Sequence, residues 1–143
     1  MPTDAWADLN RRAAAVAGGV PWKPGMHGTM GWRRFIVVAP AEDDLGPLLW
    51  LSQGELPAWA GHIADHGPMQ PDLEHASTRG ILRAALGSPS MRLDRITDNH
   101  HSCEILDETG EWQLAWGEGA TPEHAEAAAL VELAEARTEW GPR

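Results

Sequence analysis

The chain has 143 residues and a formal net charge of −10, with one cysteine, eight tryptophans, one phenylalanine and no tyrosine. That length supports one domain with a core that needs no disulfide staple, and a lone Cys103 excludes an intrachain disulfide and fits a reducing compartment. Residues 1–71 hold five Lys and Arg against seven Asp and Glu, whereas 72–143 hold six against fourteen, so free nucleic acid is a poor partner for the second half.

In chain order, residues 3–17 read as a helix: Trp6, Leu9, Ala13 and Val16 recur at helical spacing and Gly18-Gly19 stops the run. This stretch has no apolar run long enough for a signal or a membrane span, so a soluble, unexported protein is expected. A helix this short is marginal alone and needs docking through Trp6 and Leu9. Two prolines and three glycines across 19–28 predict an irregular crossing with Trp22 turned inward. Phe35-Ile36-Val37-Val38 predicts a buried strand closed by Pro40, and Leu48-Leu49-Trp50-Leu51 a second one, joined through the acidic turn Glu42-Asp43-Asp44.

From Pro57 to Asp72, prolines and glycines leave room for at most two helical turns. Ile81, Leu82, Ala85 and Leu86 then predict a central helix over about 77–87, capped by Ser77 or Asp72 and ended by Gly87, with Gly80 marking a close contact with a strand. Residues 91–98, 100–107 and 111–119 read as strands. The last two are joined by a turn at Asp107-Glu108-Thr109-Gly110, with Cys103 and Ile105 on one face and Trp112, Leu114 and Trp116 sharing a face. A closing helix over about 122–140 starts at Thr121 as N-cap with Pro122 in first position. Its apolar stripe is Ala125, Ala129, Leu130, Leu133, Ala136 and Trp140. This order predicts a single α+β domain, a mostly antiparallel sheet of four or five strands with two or three helices packed on it.

Three stretches, 19–26, 71–89 and 121–136, resemble in order and spacing a loose family of small uncharacterised proteins encoded in tailed-phage genomes and prophages of high-GC bacteria. Trp22, Pro24, Gly25 and Met26 match the family's opening, Thr78, Gly80 and Leu82 its helix start, and Ala127, Ala129, Leu130 and Val131 its closing helix. The family's Asp-Pro at the helix start is replaced here by His75-Ala76-Ser77. The resemblance implies a phage origin and a fold, and carries across no catalytic residue; together with the reducing compartment and the missing export segment, the expected location is the cytoplasm of the bacterial host.

Several side-chain groups have a chemistry to weigh. In "HIADH", residues 62–66, His62 and His66 would share a face if that segment were helical, as a zinc pair requires, but Asp65 is a carbon shorter than the Glu of inverted zinc peptidases. His75, His100 and His101 are the candidate third ligands. His100 and His101, adjacent in a strand, point to opposite faces, and one of them could face Cys103, which is read as a structural thiol. Arg33-Arg34 beside Trp32 reads as a strand-edge charge, and Asp43-Asp44 and Asp107-Glu108 as solvated turn tips. No phosphate-cradling glycine motif occurs. No catalytic residue, cofactor or resident metal is therefore assigned.

The expected role is a non-enzymatic phage accessory protein that binds a host or phage protein on a basic surface. Its concrete form is an inhibitor of a host defence nuclease, with Glu104, Asp107, Glu108, Glu111, Glu118, Trp112 and Trp116 as contact residues. The alternatives are a virion or tail-assembly accessory that self-associates as a homodimer, and a zinc-dependent hydrolase built on His62 and His66.

Overall fold

Phe35 and Val37 leave one face of their strand and Ile36 and Val38 the other, and this alternation decides which side of the first sheet meets the core. A computed structural model describes residues 4–52 and 56–142. Among them it places α1 (Asp4–Ala15), β1 (His27–Met30), β2 (Arg33–Ala39), β3 (Leu48–Leu51), β4 (Ala58–Trp59), β5 (Met69–Pro71), α2 (Ala76–Ala85), β6 (Ser90–Thr97), β7 (His100–Leu106), β8 (Gln113–Gly119) and α3 (Pro122–Arg137), an α+β fold. The strands form two antiparallel sheets, β4-β3-β2-β1-β5 (sheet A) and β6-β7-β8 (sheet B). No helix among the described residues is long and apolar enough to cross a membrane.

Three of the strands in sheet A go beyond the sequence expectation. β1 lies at the end of a glycine-rich crossing and turns into β2 through Gly31-Trp32, where Gly31 adopts φ +62°. β5 contains Pro71, which an edge strand tolerates because its missing N–H need not pair. With β1 and β5 on one side and β3 and β4 on the other, β2 becomes the central strand. Arg34 therefore stands on an open sheet face rather than at a strand edge, while Arg33 sits over the Trp32 ring at 5.5 Å and donates toward His66 Nδ1 at 3.2 Å.

α3 is the centre of the molecule. Thr121 Oγ1 accepts from the His124 backbone N–H at 3.2 Å, Pro122 opens the helix, and Thr138 at φ +61° ends it. Ala125, Ala127, Ala129, Leu130, Val131, Leu133 and Ala134 are all buried, because β7 and β8, α1 and α2 all pack against this helix. The single stripe expected from sequence is thus too narrow, and Ala136, placed in it, is exposed. α1 docks through Trp6 and Leu9 as expected. The Trp6 ring meets His124 edge-on at 4.9 Å, Arg12 donates to Glu135 at 2.6 Å, and Trp140 Nε1 donates to Ala13 O at 2.9 Å.

The approach of α3 to sheet B is set by small residues. Ala115 and Gly117 face the helix, and a Cβ on Gly117 would lie 2.3 Å from Ala129 N and 2.7 Å from Ala125 O. Trp116, by alternation, turns to water on the opposite face. Leu114 falls at an irregularity where Ile105 pairs Ala115 but Leu106 pairs Gln113, so it leaves the ladder and lines a cleft against Leu133 and Ala136. The face shared by Trp112, Leu114 and Trp116 in the sequence reading is broken at this point.

α2 also departs from expectation. Its N-cap is His75, whose side chain makes no cap hydrogen bond, and Asp72 Oδ1 instead accepts from Glu74 N at 3.2 Å in the preceding turn. Gly80 is exposed and a Cβ there would meet nothing within 4 Å, so no strand lies against it. Buried Arg79 ties the turn to α3: its Nη1 donates to Leu73 O and Glu74 O at 2.9 and 2.8 Å, and its Nε lies 3.7 Å from Glu126.

Candidate functional site

The residues expected to contact a partner fall on β7, β8 and the turn between them. Glu104 and Trp116 are cross-strand neighbours, as are Ser102 and Glu118, so Glu104, Trp116 and Glu118 share the outer face of sheet B, away from α3. Arg92 and Asp94 of β6 extend the same face. Trp112 is 71% exposed and Trp116 40%, although neither exposure is needed for folding. Trp112 lies in the bend before β8, and the inward positions of β8, which carries Trp116, are already filled by Ala115 and Gly117.

The charges on this face are largely paired. Arg92 donates to Glu104 at 2.5 Å and lies 3.7 Å from Asp94, and His100 Nε2 lies 2.7 Å from Glu118 Oε2. Asp107 serves the turn: it accepts from Thr109 Oγ1, Glu111 N and Trp112 N at 2.7, 3.2 and 3.3 Å, and these donors, Thr109 first, hold its carboxyl below the usual carboxylate range. Glu108 and Glu111 stand exposed at the tip. Beside it lie two adjoining clefts of ≈ 420 and ≈ 430 Å³, where Asp107, Glu108 and Leu114 meet Arg137 of α3.

The acids of the second half do not gather on one face. Glu132 and Glu135 on α3 pair with Arg12, Glu126 with Arg79, and Asp98 with Arg95, at separate places on the surface.

The HIADH segment folds as two separate 3-10 turns, 60–62 and 64–66, with Ile63 at φ −126° and ψ 24° between them. The single helical face on which a zinc pair depends is absent: His62 is exposed, and His66 faces Arg33. Among the described residues no three His, Cys, Asp or Glu side chains gather closely enough to hold a metal ion. Cys103 is fully buried on the α3 side of β7, and burial pushes its thiol up to about 12, which leaves negligible thiolate at neutral pH. It packs in the core as a small apolar residue.

One cluster has no signal in the sequence. His27 on β1 and His75 before α2 stack face to face at 3.8 Å with 5° between ring planes. Asp72, buried beside them, lies 3.6 Å from His75 Nε2. Burial, then the neighbouring His75, holds His27 below the ordinary imidazole value. The two histidines are brought together by the β1–β5 ladder, which places His27 O within 2.8 Å of Asp72 N, and by Thr78 Oγ1, which accepts from His27 N at 2.9 Å. Neither spacing nor periodicity could have joined them.

Comparison with protein-family models, curated proteins and solved structures returns no match.

Proposed function

We propose that the protein is a non-enzymatic accessory protein, of phage type, that binds a protein partner through the outer face of sheet B. The observation that carries this is the placement of two tryptophans in water at one edge of sheet B, Trp116 on β8, whose inward positions are already filled by Ala115 and Gly117, and Trp112 in the bend just before it. Large aromatic residues cost solvation free energy when exposed, and they are the side chains that most often anchor interfaces. Around them Glu108, Glu111, Glu104, Glu118 and Asp94 make an acidic rim suited to a basic partner surface.

Two forms of the partnership differ in what supplies the binding. In a nucleic-acid-mimicking inhibitor of a host defence nuclease the acids carry it; with tryptophan anchors the acids steer and the indoles hold. Pairing of Glu104 with Arg92 favours the second form, because a carboxylate already neutralised in place contributes less to a new ion pair.

The test is affinity capture from bacterial lysate with wild-type and Trp112→Ser/Trp116→Ser baits, washed at low and high salt and read by mass spectrometry. A partner kept by the wild type through the high-salt wash and lost from the double variant supports the anchored form. Release by salt alone supports mimicry, and equal retention by both baits refutes this face as the contact.

Self-association is the second reading, and β6 favours it. It is an edge strand of eight residues with Leu93 and Ile96 exposed, an arrangement open to pairing with a second copy. Sedimentation at increasing concentration decides it, and a strict monomer counts against pairing.

A further inference from the structure

The outer face of sheet A carries a cleft separate from the partner-binding face. His27, Ile36 and Trp50 are register partners across β1, β2 and β3, so their side chains leave one face of the sheet in a single row. With Arg34, Ser52 and His75 they line a cleft of ≈ 240 Å³.

The row has a definite width. His27 and Trp50 stand two strand spacings apart, about 10 Å, and subtracting about 3.5 Å for van der Waals contact leaves a gap of roughly 6–7 Å over Ile36. That is the span of one flat six-membered ring. Ile36 and Trp50 are 41% and 47% exposed, so a ring laid there would take apolar surface out of water. The stacked His75 backs His27 and fixes that wall.

One end of the cleft is polar. Arg34 precedes Ile36 by two residues on the same face, and Ser52 N donates to Arg34 O at 3.0 Å, which sets the two residues side by side. Every other described arginine donates to a carboxylate, a carbonyl or His66. Arg34 alone among them has no side-chain hydrogen bond or ion pair with the described residues. In a chain of net charge −10, an arginine with no carboxylate partner among the described residues, at the mouth of an apolar cleft, is available to an anion from outside.

We infer that this cleft binds a small flat carboxylic acid, its ring over Ile36 between Trp50 and His27 and its carboxylate on the Arg34 guanidinium, within reach of the Ser52 hydroxyl. The guanidinium fork matches a carboxylate in two parallel hydrogen bonds, which orients the ring as well as holding it. His27, kept uncharged at neutral pH by its burial, presents an aromatic wall rather than a second cation.

Titration of the full chain with benzoate, followed by the indole N–H resonance of Trp50 assigned through Trp50→Phe, tests this directly. Benzoate is expected to shift that resonance to saturation, with affinity about tenfold weaker in Arg34→Gln, the loss that goes with one charge-assisted hydrogen-bond pair. Benzamide, the uncharged isostere, should bind the wild type as weakly as benzoate binds the variant. Arg34 is exposed, so its replacement leaves the core intact. No saturation of the Trp50 resonance by roughly 10 mM benzoate, or equal affinity in wild type and Arg34→Gln, overturns the inference and leaves the partner-binding face untouched.

Discussion

The same substitution, Gly to Ala, should change stability in opposite directions at two positions of this chain. At Gly80, inside α2, an added methyl meets nothing within 4 Å. The substitution then acts chiefly by removing backbone freedom from the unfolded chain, and it should stabilise by about 0.5–1 kcal/mol. For a domain of this size that is a rise in Tm of about 2–5 °C. At Gly117 the methyl would lie 2.3 Å from Ala129 N and 2.7 Å from both Ala125 O and Ala128 C, all helix backbone. Ordinary contact is about 3.5 Å, so α3 must retreat by about 1 Å. It cannot do so locally, since its other sides pack on α1 and α2. Overpacking of this kind costs about 1–3 kcal/mol. Urea denaturation followed by far-ultraviolet circular dichroism measures both. Shifts of the same sign, or a destabilised Gly80→Ala, would refute the assignment of α3–sheet B packing as the tight contact and of α2 as open to water at residue 80.

Other outcomes follow from buried polar groups. Both ring nitrogens of His124 are buried with no hydrogen-bond partner among the described residues, so His124→Leu should be neutral or stabilise by up to about 1 kcal/mol in denaturant titration; a clear loss would mean that the imidazole has a partner. Arg79→Met strands two backbone carbonyls and Glu126, and a loss of about 2–4 kcal/mol is expected from the same assay. Cys103 should resist iodoacetamide at pH 8 until the chain unfolds, since its thiol is buried and pushed up to about 12; alkylation of the native protein at the rate of a free thiol would contradict its place in the core. His27 has a folded-state pKa below its ordinary 6.5, so the unfolded chain takes up the proton first and stability falls as pH drops through 6.5. His27→Asn should flatten that part of the stability–pH curve, and parallel curves would sink the assignment.

The closing helix was legible in the sequence because its signals are local: Thr121 caps it, Pro122 opens it, and an alanine- and leucine-rich run sustains it. The strands β2, β3, β6, β7 and β8 were legible for the same reason, through β-branched runs, alternation and a glycine turn. Strands β1, β4 and β5 were not: β1 and β5 are three or four residues long and hold Gly, Pro or polar residues, and β4 is only two residues long. They exist because neighbouring strands supply their hydrogen bonds. The contact residues on β7 and β8 were named from composition, but which of them share a face depended on an irregularity at Leu114 that alternation cannot foresee.

Composition and periodicity by themselves determined an acidic α+β chain, its three helices and the strands with strong local patterns, since these rest on interactions between residues a few positions apart. Only the tertiary structure decided that α3 is buried on nearly every side, that the acids are dispersed with several of them paired to arginines, that Trp112 and Trp116 stay in water, and that His27 meets His75. Several of these rest on contacts between residues far apart in sequence, such as His27 with His75, 48 positions apart, and Arg12 with Glu135, 123 apart. Chain closure over such distances is set by packing of the whole molecule and leaves no mark in any local stretch.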